Sequence, residues 1–190
     1  MNRRVDSPFK VRELHLNRMK RLDPTIAFLA KSRARFLATA DQIPDARWLE
    51  PPAEGCWSGS EVVAHVATIE EAIINGCGKA LQKAPYPVPA LKKIHLPFVL
   101  TLWRGRKIRS TIPTPAERIG DRTVAYKAIA EVRHRSLAFI AEHGDRDLSA
   151  YRFPHPIFGS LNLYDWYRFI GYHELRHRKQ LRELVEIFHR

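Results

Sequence analysis

The sequence predicts an all-α fold, a four-helix bundle with a long crossover between its second and third helices. Four segments repeat apolar residues at spacings of three and four, and no run alternates apolar and polar residues long enough to read as a strand. Between the second and third of these segments lies an irregular stretch, 81–120, with prolines at 85, 87, 89, 97, 113 and 115. Connections of that length usually have a function of their own.

The 190 residues suit one compact domain with a single core. The expected division is a basic N-terminal extension, 1–22, followed by the bundle, 23–190. Asp23 as N-cap and Pro24 in the first turn would open the first helix, which then sets Ile26, Leu29, Arg33, Phe36, Leu37 and Ala40 on one face until Pro44 stops it. Ser58 and Glu61 form a capping box for the second, in which Val62, Val66, Ile69 and Ile73 recur at helical spacing and Gly76 and Gly78 weaken the far end. The crossover holds one short helix near Leu96 to Arg104. The third helix runs from about Arg122 to His143, with Ala125, Ile129, Val132, Phe139 and Ile140 inward and Gly144 closing it. The stretch "YRFPHPIFGSLN" reads as turns, and Ser160 or Asn162 caps the last helix, whose stripe is Trp166, Ile170, 173, 177, Leu181, Leu184 and Phe188.

With 45% hydrophobic residues the chain can form a core, which excludes a disordered protein. The formal net charge of +12 favours anionic partners. Much of the excess lies in the first 21 residues and in Lys92 to Arg109, without a DNA-reading motif, so no specific nucleic-acid partner is expected. Two cysteines, Cys56 and Cys77, argue against a disulfide framework and for a reducing compartment. The longest apolar run, Ile94 to Trp103, is too short to span a membrane and contains Pro97. No apolar signal region follows the basic N-terminus, and the expected location is the cytoplasm. If exposed, that same run would favour a homodimer.

The chemistry is concentrated in the last stripe, where two slots that should be apolar hold His173 and His177. Four residues apart on a helix, their imidazoles lie about 40° apart and one turn along the axis, close enough to chelate one ion. His65 falls on the inward face of the second helix, three residues after Val62, and supplies a third nitrogen. Three protein ligands and one open position are the usual catalytic arrangement of zinc. The stretch "HELRH" also spells the helical motif of zinc proteases, in which Glu174 would be the general base. The continuation does not follow: positions 180 and 183 hold Gln and Glu where one such group wants Gly and His. Glu174 is also placed to pair with Arg178 on the surface, and Glu70 and Glu71 read as solvated charges. Arg176 flanks the pocket, and Trp57 and Trp166 are core or pocket wall. Cys56, beside the cap, reads first as a buried small apolar residue and second as a reactive thiol near a helix N-terminus.

Two stretches, "GCWSGSEVVAHVATIEE" from Gly55 and "HPIFGSLNLYDWYRFIGYHELRHRKQL" from His155, resemble the DinB-like, YfiT-like superfamily of metal-dependent enzymes. Trp57, Ser58, Glu61 and His65 match its first motif; Trp166, His173, Arg176, His177, Gln180 and Leu181 match the second. The resemblance implies an up-down-down-up bundle over roughly 23–188 and a metal site of three histidines near one end. It implies that the glutamate of "HELRH" occupies a variable position. Enzymes of that family include thiol-dependent S-transferases and isomerases.

The expected function is therefore a metal-dependent enzyme acting on a small molecule. His65, His173 and His177 would hold Zn²⁺ or Ni²⁺, which imidazoles do not separate well. The ion would acidify a water for hydrolysis or deprotonate a low-molecular-weight thiol for transfer. Arg104 and Arg106, with Lys107 and Arg109, are candidates for recognising an anionic thiol or substrate. The alternative is a non-catalytic binding or stress-response module whose metal site is structural or vacant.

Overall fold

The computed structural model describes residues 8–87, 98 and 112–190, with residues 8–21 described by their backbone alone. Four helices dominate: α1 (Pro8–Ala40), α2 (Gly59–Leu81), α3 (Arg122–His143) and α4 (Leu163–Phe188). The short helix expected near Leu96 to Arg104, and the crossover arginines 104, 106 and 109 with Lys107, lie outside the described residues.

The caps of α2 and α4 are among those the sequence calls for, and Asp121 supplies one for α3. Ser58 Oγ accepts from the Glu61 N–H while Glu61 accepts from the Ser58 N–H, a reciprocal box that starts α2. Asp121 caps α3 through the Val124 N–H, and Asn162 caps α4 through that of Asp165. α2 continues past Gly76 and Gly78 to Leu81.

The start of α1 differs from expectation. Asp23 is not its N-cap: the helix begins at Pro8 and passes through Pro24. A proline inside a helix withholds one N–H from the ladder, yet its fixed φ is already helical. Leu22 and Leu29, both fully buried on either side of it, hold the two halves in one core.

The second difference is a hairpin where the sequence suggested only turns. β1 (Arg152–His155) pairs antiparallel with β2 (Gly159–Asn162), from Arg152 opposite Asn162 to His155 opposite Gly159. Strands of four residues are too short for alternation to show, and Pro154 within β1 reads as a breaker, although an edge tolerates it. Gly159 closes the three-residue loop at φ +69°, a conformation that favours glycine.

Pairings along the helices give their directions. Phe28, Thr39 and Gln42 of the first helical segment meet residues 171, 178 and 189 in ascending order, so α1 and α4 run parallel. Ser60 meets Gly120 and Glu70 meets Arg133, so α2 runs parallel to α3. Arg33 reaches Glu70 while Ile43 lies against Gly59, so α1 and α2 are antiparallel. The result is an up-down-down-up bundle. Gly171 permits the close approach of α1 to α4, since a Cβ there would collide with the Phe28 ring.

The core divides into two apolar clusters, one containing Leu29, Ile73, Ile140, Tyr167 and Ile170, the other Phe36, Val62, Val66, Val132 and Leu181. Between them lies a charged layer drawn from all four helices. Arg33 donates through Nε to Glu174 and through Nη2 to Glu70, both at 2.6 Å. Arg133 donates to Glu70 at 2.7 Å and to Glu174 at 2.8 Å. Each guanidinium also reaches the opposite helix, Arg33 to the Ile129 carbonyl and Arg133 to that of Leu29. Ser136 donates to Glu70 and Ser32 to Glu174. Burial works against charge on Arg133, but Glu174 and Glu70 outweigh it and raise its pKa. Two positive and two negative groups alternate, and their hydrogen bonds meet the conditions under which buried charge is tolerated.

Candidate metal centre

The seam between α2 and α4 brings His65, His173 and His177 together. One ring nitrogen from each lies within 4.8 Å of the others. Ring centroids are 4.5 Å apart for His173 and His177, 4.9 Å for His65 and His177, and 5.3 Å for His65 and His173. The i, i+4 spacing on α4 sets two imidazoles edge to face, and the capping box sets the phase of α2 that turns the third toward them.

The electrostatics suit ligation by neutral rings. Burial lowers the pKa of His65 to about 4. His173 is held well below the usual histidine value by burial first, then by the positive charges that His177, His65, Arg176 and His155 would carry. Both keep their lone pairs at neutral pH. Gln180 Oε1 lies 3.0 Å from His177 Nδ1; an amide oxygen only accepts, so Nδ1 carries the proton and Nε2 is left as the donor. His65 Nδ1 is buried and has no hydrogen-bond partner among the described residues. A buried polar atom without a partner is costly, and an ion between the rings is the kind of group that would satisfy it. The residues fit a divalent metal. Trp57, just before α2, closes one side: its ring lies 4.7 Å from His65 and stacks on His177 at 6.1 Å.

The other expected site residues fall elsewhere. Glu174 is fully buried in the charged layer, with both oxygens bonded to Ser32, Arg33 and Arg133, and it is not one of the metal-facing group. The surface pair with Arg178 is not formed; Arg178 Nε donates to Thr39 Oγ1 at 3.0 Å. Glu70 is likewise buried rather than solvated. Glu71 is half-buried, and the hydrogen bond from Arg135, joined by Arg118, lowers its pKa against the opposing effect of burial. Trp166 is core, stacked on Phe153 at 4.2 Å. Cys77 is buried and burial pushes its thiol pKa up, while Cys56 is half-buried.

Sequence reasoning missed His155, which the hairpin sets against the same stripe of α4, packed on Trp166 and Phe169. It also passed over Arg133. A signal existed for the charged layer: Arg33 stands in an inward slot of α1, where an unpaired charge would not be tolerated.

A bundle of two parallel helix pairs with three imidazoles on one seam defines a class, the four-helix proteins with a candidate metal site between helices. Residues 29–181 match the DinB superfamily, and the chain belongs to that family. Over 144 residues it is 26% identical to the uncharacterized protein YuaE of Bacillus subtilis (strain 168), covering 76% of this chain and 86% of that one. Among solved structures it is similar to TT2238, a four-helix bundle protein, with a TM-score of 0.57 and 23% identity over 85% of this chain and 98% of the other. That likeness concerns the fold alone. Among the described residues no helix is long and apolar enough to cross a membrane.

Proposed function

We propose that the protein is a metal-dependent enzyme acting on a small molecule, with His65, His173 and His177 as the ligands of Zn²⁺ or Ni²⁺. The observation that carries this reading is that His65, with a buried Nδ1 that has no partner among the described residues, His173 and His177 each bring a ring nitrogen within 4.8 Å of the others. Lewis-acid activation of a water or of a low-molecular-weight thiol is the chemistry such an ion supplies in its open position.

The chain's own residues do the rest. Gln180 holds the His177 ring in the tautomer that leaves Nε2 as the donor. Trp57 shields one side of the rings from water. Arg176 adds positive charge beside His173, which favours an anionic reactant. Arg104 and Arg106 of the basic crossover are assigned the same preference, as binders of an anionic thiol or substrate. Glu174 takes no proton in this scheme, because its oxygens already accept from Arg33, Arg133 and Ser32. It holds α4 in register instead.

The test is a screen of zinc- and nickel-loaded protein against small thiols paired with electrophiles, and against small esters and amides. Metal-dependent turnover that disappears in His65→Ala supports the enzyme. Tight metal binding with no turnover, and unfolding when the ion is removed, supports a non-catalytic module built on a structural site.

A further inference from the structure

The two helices that supply the imidazoles each carry one buried carboxylate as well. Glu174 follows His173 directly on α4. Glu70 lies five residues beyond His65 on α2, about 7.5 Å along the axis. Glu70 is 1% and Glu174 0% exposed, so water does not separate their charges.

Guanidiniums from the other two helices do so instead. Arg33 of α1 donates from neighbouring nitrogens of one edge, Nε to Glu174 Oε1 and Nη2 to Glu70 Oε2, both at 2.6 Å. Arg133 of α3 holds Glu70 with Nε at 2.7 Å and Nη2 at 3.2 Å, and the same Nη2 reaches Glu174 Oε1 at 2.8 Å. Glu70 Oε2 and Glu174 Oε1 are thus each shared by both cations. The donors of one planar guanidinium are fixed relative to one another, so each arginine sets the spacing of the carboxylates it bridges. Take away a cation, and two like charges in a dry interior repel across the seam between α2 and α4. That seam is the one across which His65 meets His173 and His177, with ring nitrogens within 4.8 Å of one another. Zinc–nitrogen bonds of about 2.0–2.1 Å leave little room for such a shift.

We propose that Arg33 and Arg133 are positioning residues of the metal centre: by bridging Glu70 to Glu174 they hold α2 and α4 at the separation at which His65 shares an ion with His173 and His177. They act through the helices and are not among the ligands. This rests on the metal reading of the three histidines and adds to it the groups that set the geometry of the centre.

The full-length chain is titrated with Co²⁺, whose visible absorption reports both affinity and coordination, and thermal unfolding of the metal-free protein is followed in parallel. Arg133→Met removes one bridge. Its cobalt affinity should fall about 10- to 100-fold, the range for loss of an outer support of a metal site, and its absorption band should change. Adding Glu70→Gln removes the uncompensated negative charge and should recover most of the affinity. Ile140→Ala, one turn beyond Ser136 in the apolar cluster, also lowers stability, yet should keep the affinity and the band of the wild type. Wild-type affinity in Arg133→Met, an equal loss in Ile140→Ala, or no recovery on adding Glu70→Gln overturns the proposal. Should Arg133→Met not fold, proton–nitrogen NMR of the wild type decides. Zinc should shift the Nε–H resonances of Arg33 and Arg133 and slow their exchange with water, leaving that of Arg47, paired with Glu50 at the surface, unchanged. Resonances of Arg33 and Arg133 that zinc does not move overturn the proposal. A wild-type chain that takes up neither cobalt nor zinc overturns the metal reading itself, before any variant is compared.

Discussion

At the level of Glu174 the bundle interior holds two guanidiniums and two carboxylates, each bonded to both groups of opposite charge and further satisfied by serines and helix carbonyls. One residue away, at His173, a second buried polar cluster turns toward α2, and among the described residues His65 Nδ1 has no partner there. The two sit on the same helix, about 100° apart around its axis. The first is closed and contributes to folding as a unit. The second is open, and its unmet bonding is what a ligand would complete. Buried polarity alone therefore does not single out the candidate site; the three imidazoles stand out because their buried bonding is incomplete.

The largest expected effect comes from opening the closed cluster. Glu174→Gln removes a charge from the alternating layer and leaves Arg33 and Arg133 short of a partner, at a cost of about 3–5 kcal/mol. Chemical denaturation should show this, while the same change to Glu71, a half-buried partner of Arg118 and Arg135 at the rim of the bundle, should cost less than about 1 kcal/mol. Comparable losses at both positions would refute the distinction.

A smaller effect separates the clusters from the other side. Gln180→Leu removes the acceptor for His177 Nδ1 without touching the charged layer. Metal affinity should fall about 10- to 100-fold with stability nearly unchanged. Calorimetric titration with zinc measures the first and thermal unfolding of the metal-free chain the second.

Acidification should act on the open cluster. His65 titrates near 4 when folded and His173 well below its ordinary value, whereas both take a proton near 6.5 when unfolded. The unfolded chain therefore binds more protons below about pH 6.5, and stability falls as pH drops from there toward 4, by about 1.4 kcal/mol per pH unit for each such group. Above 6.5 these rings contribute no pH dependence. Metal-free His65→Ala should show a shallower decline over that window. An unchanged slope would mean that other groups govern acid sensitivity.

Much of this was legible in the sequence, for local reasons. Ser58 with Glu61, and Asn162 before α4, are capping signals that act within one turn, and His173 with His177 at i, i+4 fixes its own geometry. His65 was legible because the period of α2 puts it on the inward face. What was not legible depends on groups distant in the chain. Glu174 looks like a catalytic base, or a surface partner of Arg178, until Arg33 and Arg133 arrive from α1 and α3. Pro24 looks like a helix start until Leu22 is seen buried in the core. His155 looks like part of a turn until the hairpin carries it to Phe169.

The metal content of the purified chain, compared with that of His65→Ala, bears most directly on the open cluster. Elemental analysis should find one Zn²⁺ or Ni²⁺ per wild-type chain and almost none in the variant, whose helical circular dichroism stays the same. Undiminished metal in His65→Ala, or no metal in wild-type protein supplied with either ion, would contradict a centre shared by α2 and α4.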